Sequence, residues 1–263
     1  MNNFKPVESL FFEVLEDLKE YLDDLTLVGG WLPYIYSRFL WNNPSIKIVT
    51  TVDIDFGFSG NKKKVYSRTI FELLSSLDYK ERHLRMNRMY PVVLYKQGKI
   101  PIDFIAPPKT EDKLLKKFFG KQMYINRIDK FEFLLKNRIS LKAKTEKEKA
   151  IYNIHCPKPS AFLYQKGATF ADREDRLTQA KDLYYMYFIL RYVPDLDILL
   201  KEIAQYKKQG CFINITKNIE EYFKRKMSQG CLMIEKENGP DEYIDDLRYD
   251  IFERFNQLHE FLK

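Results

Sequence analysis

Three aspartates have the type and spacing to do chemistry: Asp53 and Asp55 in Thr-Val-Asp-Ile-Asp-Phe, and Asp103 in Pro-Ile-Asp-Phe-Ile. In both runs acids alternate with apolar residues. Period-two geometry predicts Asp53 and Asp55 on one face of a strand, with Val52, Ile54 and Phe56 on the other. Two carboxylates facing the same way repel unless a cation lies between them. Mg²⁺ suits that arrangement, because it takes a few carboxylate oxygens and leaves positions for water and substrate phosphates. A two-ion site would serve phosphoryl or nucleotidyl transfer by bridging the attacking oxygen, the phosphorus and the leaving pyrophosphate. In such a site Asp53 and Asp55 would hold the nucleotide-bound ion and Asp103 would complete the second position. Upstream, Gly29 and Gly30 lack side chains, so backbone N–H groups at the start of the following helix could approach a triphosphate.

The elements that must position these residues follow from periodicity. Leu10, Val14, Leu18 and Leu22 predict a helix over residues 6–23, followed by a short strand at 25–28. After the glycine pair a helix is expected over 31–40, with Pro33 in its first turn. A strand over 46–58 carries the paired acids, and a helix follows over 65–77. Residues 91–95 and 99–105 read as hairpin arms joined by Lys96-Gln97-Gly98, with Asp103 on the second arm. Short helices are expected at 114–119 and 131–139, in a strongly basic stretch over 109–150 whose segment 142–149 reads as a solvated loop or helix end. Beyond Pro157 and Pro159 the pattern is helical, with Ser160 as a cap and helices near 176–192, 195–208, 214–228 and 241–262. The expected fold class is α/β (α+β): a mixed sheet flanked by helices over residues 1–156, then a helical lobe over 157–263.

The 263 residues carry a net charge of +7, which favours an anionic partner such as a nucleotide or RNA. Cys156, Cys211 and Cys231 are odd in number and contain no CxxC pair, so neither a zinc site nor a disulfide framework is indicated, and a reducing cytoplasm is expected. No apolar run reaches the roughly 18 residues needed to span a bilayer. A Walker A loop, a dinucleotide glycine fingerprint and a Gly-x-Ser-x-Gly elbow are all absent. The basic runs Lys62-Lys63-Lys64 and Arg82, Arg85, Arg88 read either as solvated faces or as guides for RNA or a triphosphate toward the cleft, and the abundant aromatics read as packing.

Together, Val28-Gly29-Gly30, Asp53-Ile54-Asp55 and Asp103 resemble the polymerase-β-type nucleotidyltransferase superfamily, in which a glycine turn, a helix, an Asp-x-Asp strand and a third acid follow in that order. The stretch Pro159 to Lys166, followed by Lys181-Asp182-Leu183-Tyr184, looks like the helical half of its AbiEii-type toxin branch. The resemblance spans roughly residues 25–190. It implies a Mg²⁺-dependent transfer of NMP from an NTP to a hydroxyl of RNA, tRNA or protein, with a possible antitoxin partner. It also implies that Lys166 contacts phosphates, Lys181 contributes to nucleotide binding and Asp182 orients or activates a substrate group. An antibiotic-type small-molecule acceptor, or a nucleotide-binding regulatory protein without turnover, fits the same resemblance. Trp31 and Val49 depart from the superfamily pattern, which commonly has a small or hydroxyl residue at the first position and an arginine at the second.

Overall fold

The computed structural model describes residues 4–48, 51, 53–61, 64–83, 92–144, 150–212, 214–238 and 247–263. Val49, Val52, Lys62, Lys63, Arg85 and Arg88 lie outside the described residues. The chain divides into two compact units, residues 1–35 with 50–157 and residues 36–49 with 158–263.

The first unit begins with α1 (Phe4–Asp17), shorter than its apolar spacing predicted. Successive turns then carry the chain to Asp24, with Leu18 N–H bonded to Val14 O (3.0 Å) and Leu25 N–H to Tyr21 O (3.1 Å). Such turns keep near-helical spacing, so Leu18, Tyr21 and Leu22 stay buried although the helix has ended. Strand β1 (Leu25–Val28) leads to a 3₁₀ turn at Gly29–Trp31 and to α2 (Leu32–Ile35). The predicted single helix over 31–40 thus changes pitch, closing as a π turn at Tyr36–Leu40.

Strand β2 spans Ile54–Phe58, so residues 46–48, 51 and 53 of the expected 46–58 strand lie outside the ladder and Asp53 immediately precedes it. Next come α3 (Ile70–Ser76), β3 (Lys80–His83), β4 (Val92–Tyr95), β5 (Ile102–Ala106), α4 (Asp112–Phe119), β6 (Asn126–Arg127) and α5 (Phe131–Lys136). The sheet order is β1-β2-β5-β4-β3, with β6 also on β5. It is mixed: β2–β5 and β5–β6 are parallel and the other pairs antiparallel.

Alternation decides what each face of this sheet carries. Ile54, Phe56, Phe58, Ile102 and Phe104 are buried. Phe58 stacks on Phe118 at 4.1 Å and Phe104 meets Phe119 at 5.0 Å, which seats α4 on that face. On the opposite face Gly57 is required by close approach of α5, since a Cβ there would lie 2.5 Å from the Phe131 ring. Arg138–Lys144 (β7) and Ile151–Pro157 (β8) form a separate antiparallel hairpin. Ile139, expected in a helix, and Lys142, expected in a loop or helix end, are therefore strand residues; residues 145–149 lie outside the described ones.

The second unit holds α6 (Pro159–Thr169), α7 (Arg176–Tyr192), α8 (Leu196–Lys208), α9 (Ile215–Phe223), α10 (Gln229–Asn238) and α11 (Leu247–Leu262). The cap of α6 is Lys158 with Pro159 at the first position, and not Ser160 as the sequence suggested. Ser160 is buried inside the helix and donates its hydroxyl to Glu202. Asp175 caps α7, accepting from Thr178 N–H at 2.9 Å. A turn closed by Ser228 N–H to Arg225 O (2.8 Å) separates α9 from α10, so the helix predicted over 214–228 ends early, at Phe223. Phe223 then stacks on Phe255 of α11 at 3.6 Å.

Candidate active site

Asp55 and Asp103 are brought together by strand register. Parallel β2 and β5 align Asp55 with Asp103, flanked by the aligned pairs Ile54 with Ile102 and Phe56 with Phe104. Both acids therefore project from the same face of neighbouring strands about 4.8 Å apart. Antiparallel β1 sets Val28 opposite Asp55, so the chain turns at Gly29 beside that carboxylate. Gly29 has φ +73°, and a Cβ built on it would lie 1.9 Å from Asp55 Oδ2. Both the left-handed backbone and the missing side chain are thus needed to seat the Asp55 carboxylate against the bend.

Asp53 is exposed, one residue before β2, and its Oδ1 accepts a hydrogen bond from the Thr51 hydroxyl at 2.5 Å. Its charge acts on Asp103. Burial, reinforced by Asp53, pushes the Asp103 carboxyl up from an ordinary 3.8 to about 6, against a lowering hydrogen bond from the Phe104 backbone. Among the described residues, neither Asp53 nor Asp103 has a cationic side-chain partner. An oxygen-only donor set with unneutralised charge fits a hard divalent cation. Among the described residues no three His, Cys, Asp or Glu side chains are gathered as a metal-holding group. The arrangement is a register pair, Asp55 and Asp103, with Asp53 acting electrostatically on the second member.

A nucleotidyltransferase family profile matches residues 11–206, about three quarters of the chain. The chain belongs to this nucleotidyltransferase family. None of the curated proteins matches its sequence. Among solved structures, an antigenic nucleotidyltransferase-like protein from Paracoccidioides brasiliensis is similar at 12% identity, covering 76% of this chain and 90% of that one with a TM-score of 0.38. As a nucleotidyltransferase, the chain has NMP transfer as the general activity of its family.

Two departures from the superfamily pattern stand differently in this nucleotidyltransferase. Trp31 is a core residue, 2% exposed, stacked on Phe11 at 4.3 Å and edge-on to Tyr34 at 5.5 Å. Its size thus serves the packing of α1 against the glycine bend. Val49 lies outside the described residues. No helix among the described residues is long and apolar enough to cross a membrane.

Within the helical unit, Lys166 of α6 and Asp182 of α7 form an ion pair, and Arg173 Nε donates to the second Asp182 oxygen at 2.9 Å. The Asp182 side chain is 3% exposed and that of Lys166 11%. One buried carboxylate thus answers two cations. Lys181, one position earlier on α7, faces solvent and takes no part in this cluster. Arg173 was not singled out from the sequence. It sits in the short connection before α7, where no periodicity marks a charged side chain as buried-facing.

Proposed function

We propose that the chain transfers NMP from an NTP to a hydroxyl acceptor, using Mg²⁺ held by Asp53, Asp55 and Asp103. The observation that carries this reading is the alignment of Asp55 with Asp103 beside the left-handed Gly29 bend. When bound, the ions would neutralise charge on the triphosphate and acidify the acceptor hydroxyl. The chain's own contributions are more specific. Gly29 and Gly30 keep the triphosphate-binding role expected of the glycine turn, with the Asp55 carboxylate seated against Gly29 where a side chain would otherwise lie. Lys166 and Asp182 keep the phosphate-contacting and substrate-orienting roles that the resemblance implies. RNA is the acceptor we favour, because the net charge of +7 attracts a polyanion; a toxin role with an antitoxin partner and a cytoplasmic setting belong to the same proposal.

The test is Mg²⁺-dependent pyrophosphate release from each NTP in the presence of cellular RNA. Asp53→Asn and Asp55→Asn are each expected to lower the rate by on the order of a thousandfold, as loss of an ion ligand removes several kcal/mol of transition-state stabilisation. Near-normal rates in both would remove the mechanism. A second reading, a nucleotide-binding regulatory protein without turnover, draws on the lack of a closed three-acid group among the described residues. Calorimetric NTP binding with no pyrophosphate release would favour it.

A further inference from the structure

The positive charge of the chain is concentrated in one place. Residues 109–144 contain eleven Lys and Arg against four Asp and Glu, so this stretch carries a net +7 and the remainder of the chain balances to zero. It is folded, comprising α4, β6, α5 and β7, and Lys109, Lys113, Lys116, Lys117 and Lys121 are all exposed. None of these five makes an ion pair among the described residues. They are exposed cations on a folded surface.

Between α4 and β6 this face holds a concavity of about 330 Å³, with Lys116, Lys121, Tyr124, Arg127 and Asp112 on its walls. Asp112 is already answered by Arg127, whose Nη1 also donates to Pro108 O at 2.9 Å. That leaves the lysine ammonium groups to set the sign of the site. Tyr124 is 48% exposed and is the one large hydrophobic side chain exposed within 109–144. A membrane-binding surface would present several apolar side chains at its tip, whereas a single exposed ring between cations suits a flat base followed by phosphates.

We propose that this face docks a single-stranded polynucleotide, with Tyr124 stacking on a base while Lys116 and Lys121 contact flanking phosphates. As the place where an RNA acceptor is held, it rests on the RNA reading above. The docking itself is measured without NTP. It thus succeeds or fails independently of the acidic site.

The experiment measures binding of fluorescein-labelled oligouridylate of about 12 nucleotides by anisotropy over a salt series. Lys116→Gln with Lys121→Gln should flatten the slope of log affinity against log salt by about 1.4, since each single-strand phosphate contact contributes roughly 0.7. Tyr124→Ala should weaken binding about 5- to 100-fold with the salt slope unchanged, and Tyr124→Phe should retain most of the affinity. Oligodeoxythymidylate bound as well as oligouridylate would support base and phosphate recognition common to both sugars; weaker binding would support RNA as the ligand. An unchanged slope in the double lysine variant, or an unchanged affinity in Tyr124→Ala, would overturn the proposal. So would phosphatidylserine vesicles that bind as tightly and lose the same affinity in both variants. Calorimetric NTP binding by the double lysine variant, which retains all three acids, reports on the catalytic reading separately.

Discussion

Replacing Asp103 with Asn should stabilise the metal-free protein at neutral pH while leaving it little changed in acid. Asp103 has a folded-state pKa near 6 against an ordinary 3.8, because burial and the charge of Asp53 disfavour its ionised form. A carboxyl raised in the folded state stabilises the fold fully below pH 3.8 and loses that contribution as the pH climbs through about 6. The interval of about 2 units corresponds to about 3 kcal/mol at pH 8, of which about 2 kcal/mol falls between pH 4.5 and 8. The assay is urea unfolding of wild-type and Asp103→Asn proteins at both pH values in EDTA. Asn differs from a protonated Asp in its hydrogen bonding, so the pH dependence of the stability difference, and not its absolute size, is diagnostic. A difference equal at both pH values would refute the argument that Asp103 is buried without a compensating cation. Added Mg²⁺ should raise the stability of the wild type at pH 8 and have a smaller effect on the variant, if a cation supplies the missing charge.

Three further outcomes follow from local geometry. Gly29→Ala forces an L residue to φ +73° and drives a methyl into Asp55; it should cost about 1–2 kcal/mol from the backbone alone, lower the melting temperature and abolish NTP-dependent pyrophosphate release. Asp182→Ala leaves the nearly buried Lys166 without its partner and should cost about 2–3 kcal/mol in urea unfolding after discounting the more exposed Arg173. Lys166→Met in the same chain should recover part of that loss, and no recovery would contradict a shared cluster. Thr69→Ala removes the reciprocal cap of α3, in which Glu72 N–H donates to Thr69 Oγ1 (3.2 Å) and Thr69 N–H to Glu72 Oε2 (2.6 Å). A loss of about 1 kcal/mol is expected by chemical denaturation.

Some of the missed structure was legible in the sequence. Ile139, Leu141 and Ala143 alternate with Ser140, Lys142 and Lys144, and Tyr152, Ile154 and Cys156 alternate with Asn153 and His155, the period-two pattern of the β7–β8 hairpin. The dense lysines on the polar positions obscure that period. By contrast, nothing local marks β3: Lys80-Glu81-Arg82-His83 is uniformly polar and becomes a strand because β4 supplies its hydrogen-bond partners.

By itself the sequence determined what depends on near neighbours along the chain. Apolar spacing and a capping Asp175 give the long helix α7, and the order of Gly29-Gly30, Asp53-Ile54-Asp55 and Asp103 carries the nucleotidyltransferase resemblance. Only the tertiary structure decided which of those acids meet. The alignment of Asp55 with Asp103 joins residues far apart in the chain through backbone ladders that every residue type can make. Only the fold, likewise, seats Asp55 against Gly29 and closes Lys166 and Arg173 on Asp182. Register and burial are properties of paired segments, and a residue's own identity records them only where, as at Gly29 and Gly57, a side chain would not fit.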